Sequence, residues 1–219
     1  MINIRSFNPD LDLDLAEQYI LSCFHYGSGC NGNNAYNVFM EMYAYGGTIP
    51  ESCFPYTGSD TTTCSNKCSQ WEDSLVPISS YGRYYGPGRE FIKNQLVNHG
   101  PIVTGMYAAS DFNSYSGGIY EHPGNEYPSW INHQVLLVGY NDDQQYWICK
   151  NSWGQYWGEN GFFKIAYGDC AIEYELVWVD YTHTAPVTII TDGPSGTIDY
   201  TTVTFEWTAT DDNLSLIHI

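Results

Sequence analysis

The feature that most constrains this chain is a pair of apolar runs, HQVLLVGY starting at His133 and YWICKNSW starting at Tyr146, joined by the polar turn Asn141-Asp142-Asp143. Both runs are short, rich in β-branched and aromatic residues, and bounded by a turn signal, so they predict the two strands of an antiparallel hairpin. His133 and Asn151 stand nine residues either side of Asp142. Regular pairing about that centre makes them cross-strand neighbours on one face of the sheet, with Cβ atoms about 4.5–5.5 Å apart. A fold built on this hairpin therefore sets an imidazole beside a carboxamide.

The rest of the second half continues the pattern. PIVTGMYA (from Pro101) and GFFKIAYG (from Gly161) are further short β-branched and aromatic runs between turn residues, predicting an antiparallel sheet or barrel. The first half reads differently. Asp12 to Ser22 predicts a short helix behind a capping Asp, and Asn34 to Tyr45 a longer one with Ala35, Val38, Phe39 and Met42 on one face and Gly46-Gly47 as its stop. Thr48 to Ser80 carries Pro, Ser, Thr and three cysteines without periodicity and reads as a long stapled loop. Pro87 to His99 is helical in pattern and ends at Gly100-Pro101. A helical half followed by a β half predicts an α+β domain with two lobes.

Beyond Tyr181 the composition shifts to Thr, Asp, Gly and Pro, and TTVTFEWTA alternates apolar with polar residues like a strand with one buried face. The expectation is a first domain over residues 1–181, a linker over 182–185, and from 186 to 219 the start of an immunoglobulin-like or fibronectin-like β module, which takes about 100 residues when whole.

Charge narrows the function. Lys+Arg 7 against Asp+Glu 25 gives a net charge of −18, which repels phosphate backbones and anionic membranes, so nucleic-acid binding is not expected. No apolar run approaches the roughly 20 residues needed to span a bilayer. The opening MINIRSFNPDLDLDL has no apolar core of a signal peptide, so any export signal is expected upstream. Seven cysteines without a CxxC pair do not follow zinc spacing; disulfides are the better reading, and with it an extracellular setting. An odd count leaves at least one thiol without a partner inside the chain.

The His133–Asn151 pair has a chemical use. A carboxamide oxygen that accepts a hydrogen bond from one imidazole nitrogen fixes the ring, and the other nitrogen can then take the proton of a thiol. A thiol so paired is a thiolate near neutral pH. These two residues alone leave open the plainer alternative, a histidine that merely begins a strand and an asparagine that belongs to a turn.

The flanking sequence carries more. Lys150 to Ile165, KNSWGQYWGENGFFKI, is similar to the KNSWG…WGENGY…I motif of papain-like cysteine peptidases. LDLAEQYILSC ending at Cys23 resembles that family's LSEQ-x-LLDC segment, Gly29-Cys30-Asn31-Gly32 its GCNGG, and Phe54-Pro55-Tyr56 its YPY. The motifs occur in the family's order from about residue 12 to 178, nearly all of the first domain. The resemblance implies a helical left lobe and an antiparallel β-barrel right lobe. It also implies His133 as general base, Asn151 as the residue that orients it, and Trp153 as the cover over their hydrogen bond, with Trp157 read as core packing. Gly32 matches the glycine that lets substrate backbone approach, while Asn33 replaces the second glycine of that motif. Asn132 and Gln134 flank the histidine where the family often has Asp and usually Ala. Glu175 matches a position at the floor of the second specificity pocket, which suggests acceptance of a basic side chain; an exposed charge on a terminal strand is the alternative.

By the same resemblance Cys23 pairs with Cys64, which leaves Cys53 for Cys68, and Cys30 is unpaired because its family partner lies near the nucleophile. A Cys149–Cys170 bridge is suggested by the expected closeness of their strands. The family's CGSCW-like nucleophile segment, about 130–150 residues before the histidine, and the glutamine of its oxyanion hole do not occur in the chain and are expected upstream of Met1, which would leave this stretch inactive alone. The implied reaction is hydrolysis of polypeptide substrates by a monomeric, secreted enzyme, with no metal or organic cofactor. The rival from another class is a papain-fold binding or adhesion module without catalysis; a carbohydrate-binding role suggested by the many aromatic residues is a second.

Overall fold

The structure is a computed structural model and describes residues 14–26, 29–123 and 128–181. The expected linker and β module, residues 182–219, lie outside the described residues, as does the start of the first predicted helix.

The helical lobe is small and irregular. Helix α1 (Glu17–Cys23) begins behind Ala16, with no side-chain cap. The expected capping Asp is not used: the Asp14 carbonyl instead accepts the Glu51 N–H at 2.8 Å, beside a Leu15–Pro50 bridge. Helix α2 (Ala35–Ala44) has Asn34 as its N-cap, with the Asn34 side chain accepting from the Tyr36 N–H at 2.8 Å, the preferred chemistry at that position. Gly47, at φ +139°, donates to the Met42 carbonyl and turns the chain away. A side chain there would run into the Val76 carbonyl.

Met42, Phe54, Tyr19, Ile49 and Phe24 form the buried centre of this lobe. Two buried polar residues tie down its loops. The Gln18 carboxamide accepts from the N–H and hydroxyl of Thr57 and donates to Ser22 and the Ser59 carbonyl. Glu41 accepts the N–H groups of His25 and Tyr26. Disulfides Cys23–Cys64 and Cys53–Cys68 cross-link the rest.

Among the described residues the β lobe is built on seven strands: β1 (Ile78–Tyr85), β2 (Ile102–Met106), β3 (Ile119–Tyr120), β4 (His133–Asn141), β5 (Tyr146–Lys150), β6 (Phe162–Ala166) and β7 (Glu175–Tyr181), in the order β1-β7-β2-β4-β5-β6-β3. All pairings are antiparallel except β3 on β6. Helix α3 (Arg89–His99) stops at Gly100, as its sequence predicts. Strand β1 begins inside the stretch read as a loop. Its sequence ISSYGRYY breaks the apolar alternation with Ser and Gly82, and Gly82 is required because a Cβ there would lie 2.6 Å from the Trp178 ring of β7.

The core of this lobe is continuous and aromatic. Phe112 and Phe163 meet edge to face at 4.9 Å, and Trp147, Leu137, Ile165 and Leu176 are fully buried around them. Cys149 and Cys170 both lie in it as thiols and do not form the expected bridge. Cys149 faces inward on β5 opposite Leu137 and Phe163, whereas Cys170 lies in a short 3₁₀ turn and not on a neighbouring strand.

Candidate active site

The hairpin forms, but its turn spans residues 142–145 with Gln145 at φ +55°, one more residue than the polar signal suggested. Asn141 pairs with Tyr146; a bulge between Leu137 and Gly139 then shifts the register, so that Leu136 faces Lys150. Continued in that register, Val135 rather than His133 stands opposite Asn151, which lies just past the end of β5, and on its other edge His133 pairs with Met106 of β2. The slip from the expected register is two residues at this end of the hairpin, and side chains alternate with period two, so His133 and Asn151 still share a face and meet diagonally. His133 extends the inward row of Val135 and Leu137, and Asn151 that of Trp147 and Cys149, to the rim of the core.

There His133 Nε2 lies 2.9 Å from Asn151 Oδ1. The Ser152 N–H donates to the same oxygen at 2.8 Å, which identifies it as the acceptor end of the amide and places a proton on His133 Nε2. Nδ1 of the neutral ring then carries the lone pair. The Asn151 main-chain N–H donates to the Gly161 carbonyl, and Asn151 is 7% exposed, so its backbone is anchored and its side chain is shielded from water. Trp153 packs over the imidazole at 5.1 Å between ring centroids and itself rests on Phe112 and Trp157. Trp157 in turn packs on Phe112 and Phe163 and donates its indole N–H to the Asn113 carbonyl.

His133 opens onto a cleft of about 560 Å³ that both lobes line. Gly32, on the helical side, has φ +105° and would place a Cβ in open space, so its backbone is approachable. Asn33 is not among the residues with positive φ; its side chain accepts from the Asn34 N–H. Asn132 lines the cleft, but both ends of its amide are engaged with the backbone of Ala108, so it pins the start of β4. Glu175 is buried rather than an exposed strand charge, and it is not alone: Asn34 Nδ2 donates to Oε1 at 3.3 Å and the Arg83 guanidinium lies 3.7 Å away. Gln134 is a residue to which the sequence assigned no role. It is half-buried, and its Oε1 accepts the Ala35 N–H at 2.8 Å, a hydrogen bond that no sequence pattern signals.

None of the seven cysteines offers a thiolate beside His133. Four form disulfides, and burial pushes the Cys149 thiol well above its ordinary range. Cys170 is buried in the 3₁₀ turn, and Cys30 is exposed, its thiol directed at the Gly58 carbonyl.

A two-lobed α+β domain whose interlobe cleft carries an oriented imidazole–carboxamide pair is a scaffold on which a histidine can activate a thiol. The chain belongs to the papain family of cysteine proteases, which it matches over residues 2–179. It is 34% identical over 175 residues to a cathepsin C of Schistosoma mansoni, covering 73% of this chain and 38% of that protein. It is 36% identical over 166 residues to a cathepsin B-like protein of Giardia intestinalis, covering 71% and 54%. Among solved structures, a digestive procathepsin L2 proteinase from Tenebrio molitor larval midgut superposes with a TM-score of 0.73 at 30% identity, covering 82% of this chain and 56% of that one. The chain thus spans about half or less of the length of these curated relatives.

Proposed function

We propose that the whole protein is a papain-like cysteine endopeptidase and that these residues supply its base, its orienting amide and one wall of its substrate cleft. The observation that carries this reading is the His133 Nε2–Asn151 Oδ1 hydrogen bond under Trp153, which leaves Nδ1 free to accept a proton at the edge of a cleft open to backbone at Gly32. In the reaction, a thiol outside residues 1–219 gives its proton to His133 Nδ1 and attacks the peptide carbonyl. The imidazolium returns that proton to the leaving amine, and an acyl-enzyme forms. Water then attacks the acyl carbonyl as His133 takes its proton, the C–S bond breaks to release the carboxylic product, and the thiolate leaves to restore its ion pair with the imidazolium. Asn151 keeps the ring in the required tautomer throughout, and Trp153 keeps water from competing for its oxygen. The protein acts as a monomer on polypeptides in an oxidising, extracellular compartment, which its two disulfides favour. The exposed Cys30 thiol is expected to pair with a cysteine near the nucleophile.

The test is the coding DNA upstream of Met1, followed by expression of the extended chain. An in-frame CGSCW-like segment preceded by Gln, and hydrolysis of a peptide amide that Asn151→Ala slows by about tenfold or more, is the expected result. Ser, Ala or Gly at the nucleophile position would instead make the protein a binding module on the same fold.

A further inference from the structure

Five tyrosines and one arginine form a continuous row outside the cleft. Tyr81, Arg83 and Tyr85 alternate along β1 and so share one face of the strand, while Tyr36 and Tyr43 stand two turns apart on one stripe of α2. The two sets interleave. Tyr43 meets Tyr81 at 5.6 Å and Tyr81 meets Tyr36 at 5.5 Å; the Arg83 guanidinium lies 4.2 Å from the Tyr36 ring and 4.8 Å from that of Tyr85; Tyr85 meets Tyr174 at 5.6 Å. The opposite face of β1 is the one that packs inward, with Gly82 under Trp178 and Tyr84 against Trp178 and Phe91. Tyr36 and Tyr81 pin α2 to the strand, but the outer rings exceed what that needs: Tyr43 is 53%, Tyr85 54% and Tyr174 38% exposed. Exposed rings in one connected row mark an interaction surface.

The chemistry of the row narrows the partner. Tyr45, Tyr115, Tyr120 and Tyr167 engage their hydroxyls within the fold, whereas no hydroxyl of the row has a hydrogen-bond partner among the described residues. The row thus offers flat apolar faces and O–H donors. Its one charge, Arg83, already faces Glu175 at 3.7 Å, so a cationic partner finds no free carboxylate in the row, and an anionic one is opposed by the net charge of −18. A polyproline II segment meets these terms: it is uncharged, its carbonyls have no internal hydrogen bonds, and its prolines lay flat rings on aromatic side chains. The row also adjoins the cleft, because Arg83 faces Glu175 and Tyr36 follows Asn34 on α2, and both Glu175 and Asn34 line the cleft.

We propose that this tyrosine row is an exosite that holds a neutral, proline-rich stretch of the polypeptide substrate outside the cleft. Tyr43, Tyr85 and Tyr174 supply the ring faces, and their hydroxyls donate to the carbonyls of the stretch. Tyr36, Tyr81 and Arg83 hold the outer rings in line and join the row to the cleft. The exosite's role in cleavage rests on the peptidase reading above; binding at the row does not.

The test is a titration of the chain with end-blocked decaproline, followed by NMR of the tyrosine rings. Saturable shifts are expected at Tyr43, Tyr85 and Tyr174 and none at Tyr26, Tyr56 and Tyr156, which are exposed elsewhere. Tyr43→Ala and Tyr85→Ala should each weaken binding by about fivefold or more. Tyr43→Phe and Tyr85→Phe keep the rings, so they preserve the fold should the alanine variants not fold, and should still weaken binding by removing a donor. Equal shifts at all exposed tyrosines, shifts with cellohexaose in place of decaproline, or shifts that follow the protein's own concentration without any peptide would overturn the proposal, the last by making a second copy the occupant. No shift at all overturns it too and leaves the peptidase reading standing, since the titration needs no turnover. Binding by a protein whose extended chain hydrolyses no peptide overturns the peptidase reading and the exosite's role in cleavage with it.

Discussion

The two lobes solve the same problem by different means. Among the described residues the buried apolar cluster of the helical lobe holds seven side chains and that of the β lobe fifteen, and it is the helical lobe that carries both disulfides. A segment that cannot bury enough apolar surface to offset the entropy of ordering its loops needs cross-links, and residues 48–77 are such a segment. The β lobe keeps Cys149 and Cys170 as thiols in a buried, aromatic core without a bridge. The catalytic pair is mounted on this better-packed lobe, and the helical lobe contributes mainly backbone, at Gly32, and the Asn34–Ala35 cap.

The largest test of this contrast is reduction. Opening Cys23–Cys64 and Cys53–Cys68, with sequence separations of 41 and 15, should cost about 4 and about 3 kcal/mol on chain-entropy grounds. Hydrogen exchange should then show amide protection lost through residues 17–76 and retained in β4 and β5. Simultaneous loss in both lobes would mean they fold as one unit and the contrast is false.

In the β lobe, Phe112→Ala should cost about 3–5 kcal/mol by denaturant unfolding, because Phe112 is fully buried among Tyr120, Trp157 and Phe163. It should also loosen Trp153 above His133, seen as a shift of the imidazole resonances. Next, Gln18→Ala should remove about 1–3 kcal/mol, since it deprives Thr57 and Ser59 of their buried partner; a null effect would show that the disulfides alone order that loop.

The smallest effect concerns the hairpin turn. The hydrogen bond from Lys93, then that from Tyr167, hold the Asp142 carboxyl below its ordinary value of 3.8. A carboxyl lowered in the folded state stabilises above its unfolded pKa and loses that contribution as pH falls through the folded one. Asp142→Asn should therefore lower the melting temperature slightly at pH 7, and the difference should shrink as pH drops below about 4.

Much of the site was legible in the sequence because the period of a strand forgives an even error. The hairpin turn was centred too early and the bulge near Val138 carries no sequence mark, yet the two-residue slip left His133 and Asn151 on one face. Elements that depend on local pattern, α2 and α3, formed where their caps and glycines placed them. Features that depend on a distant partner did not show. Strand β1 is specified by Gly82 fitting under Trp178, and Gln134 reaches across the cleft to Ala35. The apartness of Cys149 and Cys170 follows from where the turn at Asp169–Ala171 falls, which cysteine spacing does not encode.

The central claim is that Asn151 holds His133 as a base with its proton on Nε2, and nitrogen-15 NMR of the imidazole in this chain tests it most directly. The account predicts a neutral ring protonated on Nε2 with Nδ1 bare, and appearance of the Nδ1–H form in Asn151→Ala. A neutral ring already protonated on Nδ1, or a tautomer ratio indifferent to Asn151→Ala, would contradict it.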